Sequence, residues 1–248
     1  MPGYQTKLEQ IAVPGVADLL IRSLLDRNQY ADPLGEADRL GISSAAWPLF
    51  GLLWPSGTHL AERLARRRVE SGERVLEVGC GLGLASLVGH RCGADMTASD
   101  CHPLAASFLL ENLRLNHLAP MKYRHGHWSW PEPPGDVMRT DSPPHVRGRF
   151  ELIIGSDLLY DRDASDALAA FITRHACAAA EVWIVDPDRG NRPAFNRRMA
   201  DQGFVLSEAR LDRPGAGDAS AYKGRMLTYR RAAARPRDYK LAVMPPST

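Results

Sequence analysis

Long apolar runs, paired cysteines and an excess of either charge are all missing from this chain of 248 residues. Its four cysteines, Cys80, Cys92, Cys101 and Cys177, form no C-x-x-C pair and share no zinc-ligand spacing with histidine. That argues against a disulfide framework and against a metal site, and the expected metal set is none. No apolar stretch approaches the roughly 20 residues that cross a bilayer, so no membrane association is expected. A basic region followed by an apolar stretch is also absent at the N-terminus, so no signal peptide is visible. Reduced cysteines and no targeting signal lead to the expectation of a cytoplasmic enzyme. A formal charge of +2 is too balanced to imply a nucleic-acid partner. Lysine is scarce, at 4 against 27 arginines, which together with abundant Ala and Pro reads as compositional bias rather than a phosphate-binding surface. The run Arg66-Arg67-Arg68 closes a helical stretch, where cations complement the helix dipole.

What is present is a strand, a glycine turn and a helix in Arg74-Val-Leu-Glu-Val-Gly-Cys-Gly-Leu-Gly-Leu84. Glycines at 79, 81 and 83 follow the apolar run and its acid, Glu77. Such a turn brings backbone N–H groups close to a bound ligand. Asp100 ends the next strand, 21 residues after Gly79, where a carboxylate can accept both hydroxyls of an adenosine ribose. Each turn alone is ordinary; together they point to a nucleoside cofactor. One more absence says which nucleoside. A dinucleotide turn needs G-x-G-x-x-G, and its third position falls on Leu84 or Ser86. The pattern is E-x-G-x-G-x-G, and Glu77 is badly placed for a pyrophosphate but suits an ammonium and a sulfonium. The motif resembles motif I of the class I S-adenosylmethionine (SAM) methyltransferases.

The chain divides into an N-terminal extension over 1–45, a main domain over 46–231 and a Pro-, Ala- and Arg-rich tail over 232–248, expected to be disordered. Val16–Leu25 reads equally as helix or strand. Thr58 is placed to cap a helix running to about Arg68. Beyond it strands are expected at 74–79, 95–100, 121–126, 150–156 and 181–186, with helices near 84–92, 103–116, 164–178 and 193–202. This alternation predicts an α/β fold, a Rossmann-like seven-stranded, mostly parallel sheet with helices on both faces. The last two strands, near 204–210 and 225–231, have no helix between them and should pair antiparallel at the edge. Residues 131–149 read as a long loop.

Ligands of open α/β sheets sit at the carboxyl ends of the strands. Those ends carry Glu77 and Gly79, Asp100, Trp128, Asp157 and Asp186. Trp128 reads as a wall for adenine or as a core indole, with Trp130 the weaker candidate. Asp157 and Tyr160 lie three apart on a turn leaving the sheet, where they can orient an amine for in-line attack. They read otherwise as a helix cap and a packed ring. Asp186 before Pro187 is equally a site residue or a strand-ending turn.

Trp54-Pro-Ser-Gly57, EVGCGLG, Asp100, Trp128 and Asp157-Leu-Leu-Tyr160 come in an order that resembles the seven-β-strand lysine methyltransferases, methyltransferase family 16. The resemblance covers about residues 46–231, and D-x-x-Y is its most specific element. Val185-Asp-Pro-Asp-Arg189 is similar to the D-P-G-R of the branch acting on the electron-transfer flavoprotein β-subunit, with Asp188 in place of glycine. His127 stands where the family often has Asp. The resemblance implies SAM as cofactor and a protein lysine as acceptor. It implies that Trp54 and Gly57 border the methionine end, that Glu77, Gly79 and Gly81 line the carboxylate and amine, and that Gly83 belongs to the same cofactor-binding set. Asp100 would take the ribose, Trp128 the adenine, and Ser156 the passage to the acceptor. Asp157 and Tyr160 would orient the amine, with Asp186 and Arg189 toward the substrate protein. A small-molecule amine methyltransferase would keep every cofactor residue, and a non-catalytic SAM-binding protein would not need the Asp157–Tyr160 pair. A nucleic-acid methyltransferase would need a basic face that the charge does not suggest.

Overall fold

The structure is a computed structural model that describes residues 3–128, 144–160, 165–215 and 221–233. The chain opens with a hairpin, β1 (Thr6–Ile11) and β2 (Leu19–Leu24), paired antiparallel from Thr6↔Leu24 to Ile11↔Leu19. Gly15, at φ 101°, lies in the reversal between them. The open choice at 16–25 thus resolves as strand, and the reason is tertiary. Leu19 and Ile21 alternate into the core, and the outer edge of β2 finds partners on a helix. Asn112 and Asn116 stand one turn apart on α4 (Ala105–Leu115) and at its C-cap. Asn116 accepts from Leu20 N–H at 2.9 Å and donates to Leu20 C=O at 2.8 Å. Asn112 accepts from Arg22 N–H at 2.8 Å and donates to Leu82 C=O at 3.2 Å. An edge that would otherwise expose its ladder is therefore closed by side-chain amides.

A four-residue helix, α1 (Glu36–Arg39), and a 3-10 turn over Trp47–Gly51 lead into α2 (Pro55–Ala65). The expected cap at Thr58 is a correction, because Thr58 lies inside the helix. Trp54 is the N-cap and Pro55 takes the first position, where proline's fixed φ is useful and its missing N–H costs nothing. Strands and helices then alternate: β3 (Arg74–Val78), α3 (Leu84–Arg91), β4 (Asp95–Asp100), α4, β5 (Lys122–His125), β6 (Phe150–Ser156), α5 (Ser165–His175), β7 (Ala176–Asp186), α6 (Arg192–Asp201), β8 (Val205–Arg210) and β9 (Arg225–Arg231).

Seven of the strands form one sheet in the order β5-β4-β3-β6-β7-β9-β8. All pairs from β5 to β7 are parallel, while β9 runs antiparallel to both β7 and β8. The last two strands do pair antiparallel, but β9 slips between β7 and β8, so the reversed strand lies one place in from the edge. Helix α5 also stops three residues earlier than expected, at His175. The alanine-rich stretch Ala176–Ala180 favours helix by propensity, yet Ala176 pairs with Phe150 and Ala180 with Arg231. Sheet pairing overrides the local preference.

One apolar cluster holds side chains of α2, α3, α4 and the hairpin, and a second holds those of α5 and α6. The sheet is thus covered on both faces. Trp47, 1% exposed, fixes the hairpin side, its ring 5.8 Å from Tyr4, Tyr30 and Phe50 and 5.4 Å from His102. No helix among the described residues is long and apolar enough to cross a membrane. Most of the 131–149 loop, including 131–143, and the tail from 234 on lie outside the described residues.

The asparagine pair gives a direct test of hairpin docking. Asn112→Ala strips partners from the buried groups of Arg22 and Leu82 and is expected to cost about 1–3 kcal/mol. Urea unfolding should show a lower midpoint with an unchanged slope.

Candidate active site

Parallel strands β3, β4 and β6 end together, and a cavity of about 500 Å3 opens over those ends. Its floor is the turn after β3. Gly79 and Gly81 adopt φ values of 63° and 52°, open to glycine at little cost. Space forbids side chains there as well. A Cβ on Gly79 would come within 2.6 Å of the Leu158 side chain, and one on Gly81 within 2.7 Å of the Phe50 carbonyl oxygen. Gly83 serves the helix instead. It is the N-cap of α3 at φ 76°, lies outside the cavity lining, and has Leu109 packed against it.

Two carboxylates are buried in the walls. Glu77, on β3, accepts from the backbone N–H of Ser86 at 2.8 Å and from its hydroxyl, and so caps the first turn of α3. Burial pushes its carboxyl up to about 7, with the Ser86 bonds pulling the other way and the charge of Asp100 adding to the rise. Asp100 accepts from Gly81 N–H and His102 N–H, both at 2.8 Å, one on each oxygen. Burial raises its pKa despite those bonds. Each oxygen keeps lone pairs for a further donor. Glu77 therefore carries a capping duty besides the ligand-facing one expected of it.

His102 was not singled out from the sequence. It is 3% exposed, lines the cavity and stacks on Phe50 at 3.7 Å between ring centres. Burial drives its pKa down to about 3, so the ring is neutral. Leu104 N–H donates to Nδ1 at 3.2 Å, which leaves the proton on Nε2, and Nε2 has no hydrogen-bond partner. A buried donor with nothing to donate to points to a ligand acceptor. No sequence motif could have flagged it beyond its place two residues after Asp100. Phe50 and the Leu40–Ile42 stretch also line the cavity without a sequence signal.

Trp128 lines the cavity and also packs against the second apolar cluster, with its ring edge beside Gly79. His127 accompanies it, Nε2 lying 3.2 Å from the Leu40 carbonyl. Trp130 lies outside the described residues. At the opposite end, Trp54 and Gly57 open α2, Trp54 Nε1 donating to Leu49 C=O at 2.9 Å. A Cβ on Gly57 would reach 3.7 Å from Ser156 Oγ, so these two residues face each other across the mouth.

Asp157 leaves β6 in the left-handed region, φ 59°, and its N–H donates to Val185 C=O at 2.8 Å. Burial raises its pKa while Arg189 pulls it down. Tyr160 lines the same end and is 54% exposed. The turn after β7 brings Arg189 to Asp157. Asp188 stands where the similar D-P-G-R motif has glycine, and it keeps a glycine-like φ of 65°, a conformation Asp tolerates better than most residues. Its carboxylate joins Arg192 at 2.6 Å and Arg225 at 3.3 Å. Asp186 stays apart from the cavity lining. It is 1% exposed, faces Arg192 at 3.1 Å and accepts from Asp188 N–H, as a strand-ending turn requires.

The structure thus brings together Trp54, Gly57, Glu77, Gly79, Gly81, Asp100, Trp128, Ser156, Asp157, Tyr160 and Arg189 around one cavity. Two buried acids, an unpaired imidazole N–H and a floor closed to Cβ atoms fit a cationic nucleoside cofactor.

Known proteins agree. An electron transfer flavoprotein beta subunit lysine methyltransferase from Rattus norvegicus is 29% identical over 175 residues, 69% of this chain and 62% of its own length. The chain therefore spans about three fifths of that relative. EEF1A lysine methyltransferase 3 from Mus musculus is 24% identical, covering 70% of this chain and 69% of its own. Among solved structures, a ribosomal protein L11 methylase from Lactobacillus delbrueckii subsp. bulgaricus superposes with a TM-score of 0.53 at 20% identity, covering 73% and 81% of the two chains, and shares the fold. The family described as "Lysine methyltransferase" matches residues 48–199. The chain belongs to that family.

Proposed function

We propose that the protein is a SAM-dependent N-methyltransferase acting on a lysine side chain of a protein substrate. The observation that carries this reading is the placement of Asp157 and Tyr160 at the open end of the cavity whose closed end holds Glu77 and Asp100. An acceptor entering from solvent meets the first pair, while the cofactor is gripped by the second. The cofactor supplies a methyl group on a sulfonium, an electrophile with a thioether leaving group. Glu77 would hold its ammonium, Asp100 its ribose, and Trp128 its adenine.

Lysine, with a pKa of about 10.4, is neutral in roughly one molecule per few thousand at pH 7. Only the neutral amine has a lone pair with which it could accept that methyl group, so the acceptor must stand deprotonated at the site. Asp157 and Tyr160 orient the amine by accepting and donating hydrogen bonds, and its proton leaves beforehand to water. The lysine methyltransferase names of the relatives support a protein acceptor over a free amine. The free cysteines support a cytoplasmic setting. Incubation with labelled SAM and a bacterial lysate, followed by identification of the labelled band, tests the acceptor class. Label only in small amines would favour the rival reading.

Three outcomes are expected. Calorimetry should detect SAM and S-adenosylhomocysteine but not NAD, and Asp100→Ala should weaken SAM binding by about 1.5–3 kcal/mol, the worth of a charge-assisted hydrogen bond. Binding should also depend on pH through Glu77. A cationic ligand favours the ionised carboxylate, so it lowers a pKa that stands at about 7 and releases a proton. Affinity for SAM should therefore rise from pH 5.5 toward pH 7, by up to about tenfold per pH unit. Glu77→Gln, which keeps an acceptor for Ser86, should flatten that slope in calorimetry at several pH values. Finally, Tyr160→Phe should slow single-turnover methylation at least about tenfold, roughly 1.4 kcal/mol, while SAM affinity stays within twofold. A wild-type rate in that variant would remove Tyr160 from the acceptor site.

A further inference from the structure

The acceptor end of the cavity already contains a cation. Arg189 Nη2 lies 2.9 Å from Oδ1 and 3.1 Å from Oδ2 of Asp157. The Asp157 side chain is 11% exposed and that of Arg189 42%, so the guanidinium covers the carboxylate on its solvent side. Two left-handed residues build this contact. Asp157 turns the chain off β6, Asp188 turns it off β7, and the Asp157 N–H bond to Val185 ties the two turns together.

The other polar groups near Asp157 do not balance its charge. Asp186, on β7, is an acid matched by its own arginine, Arg192. Tyr160, on the same turn as Asp157, is uncharged at neutral pH. Tyr222, from the segment between β8 and β9, is held by Ser56 at 3.0 Å, and burial pushes its phenol further from ionisation. Among the described residues, Arg189 is the cation that answers Asp157.

An unbalanced carboxylate is a poor neighbour for this reaction. It would hold a lysine as ammonium and raise its pKa by about one to three units. The nucleophile needed is the opposite species. We infer that Arg189 is a positioning residue acting through Asp157: by bridging both oxygens it cancels the charge that would trap an ammonium. What remains is a hydrogen-bond acceptor, with lone pairs still free on the carboxylate, that orients a deprotonated amine. The inference rests on the amine methyltransferase reading and adds to it a reason why an acid can stand at the acceptor site.

The test compares Arg189→Gln with Arg189→Lys, using the protein labelled in the lysate as acceptor. Single-turnover rates are followed from pH 6.5 to 9.5, with the Asp157 carboxyl titrated by carbon-13 NMR in the same variants. In Arg189→Gln the apparent pKa of the rate should move up by about one unit or more. The rate should then fall about tenfold at pH 7.5 and recover by pH 9.5, with KM for the acceptor not raised. The Asp157 carboxyl should titrate at higher pH, because the group that pulls it down is gone. Arg189→Lys keeps the charge and should restore most of both profiles. SAM affinity should be unchanged throughout. A loss of equal size at every pH, or a raised KM with unchanged kcat, would overturn the inference and make Arg189 a docking residue for the substrate protein. A wild-type enzyme that binds SAM yet methylates no amine sinks the underlying reading, and this inference with it; no variant is needed to see that result.

Discussion

The burial of two carboxylates at the ends of neighbouring parallel strands is the constraint around which the cavity is organised. Glu77 and Asp100 are 3% and 8% exposed; Glu77 is held by the backbone N–H of Ser86 in the first turn of α3 and Asp100 by those of Gly81 and His102. Those bonds only partly offset the cost of taking a charge out of water, as the raised pKa of both acids shows. A group in that condition favours any ligand that brings positive charge or additional donors. The glycine turn makes such a ligand reachable, because side chains at 79 or 81 would collide with Leu158 or Phe50. Charge demand and steric access are thus set by the same few residues.

The end of the cavity lined by Asp157, Tyr160 and Arg189 works on a different principle. Two non-glycine residues, Asp157 and Asp188, sit in left-handed backbone conformations at the ends of adjacent strands. Strain of that kind is of order 1–3 kcal/mol for each residue and persists where the surroundings over-determine it. Here Asp157 is fixed by Val185 through its backbone and by Arg189 through its side chain, while Asp188 is fixed by Arg192 and Arg225. Asp188, at the position of a motif glycine, holds a glycine-like φ and adds a carboxylate to a network of arginines beside the turn.

The convergence of the residues at the closed end of the cavity was legible in the sequence because its determinants are local. Glu77, Gly79, Gly81 and Asp100 lie in two strand–turn units whose spacing alone dictates what converges. Parallel pairing of the central strands followed from the alternation of strands and helices, while the insertion of β9 between β7 and β8 did not. What could not be read depends on contacts between distant segments. The strand character of Leu19–Leu24 comes from side-chain amides 90 and 96 residues away, on Asn112 and Asn116. Ala176–Ala180 is strand because Phe150 and Arg231 flank it, against its own propensity. His102 carries no signal in the sequence, because it is stacking on Phe50 and the bond from Leu104 that bury its ring, fix its tautomer and leave Nε2 without a partner among the described residues.

The N-terminal segment shows why family resemblance and site composition do not coincide. The family match begins at residue 48, yet Leu40, Gly41, Ile42 and Ala46 line the cavity. Their position is set from outside the match. The hairpin is bonded to α4, Trp47 gathers Tyr4, Tyr30 and Phe50 around it, and Phe50 in turn stacks on His102 beside Asp100. His127, next to Trp128, closes the loop by reaching the Leu40 carbonyl. A chain of contacts therefore runs from the hairpin to Asp100 and to Trp128. The strand ends supply the buried carboxylates. The segment after the hairpin lines the cavity beside them, where a low dielectric makes a carboxylate's pull on a cation strongest.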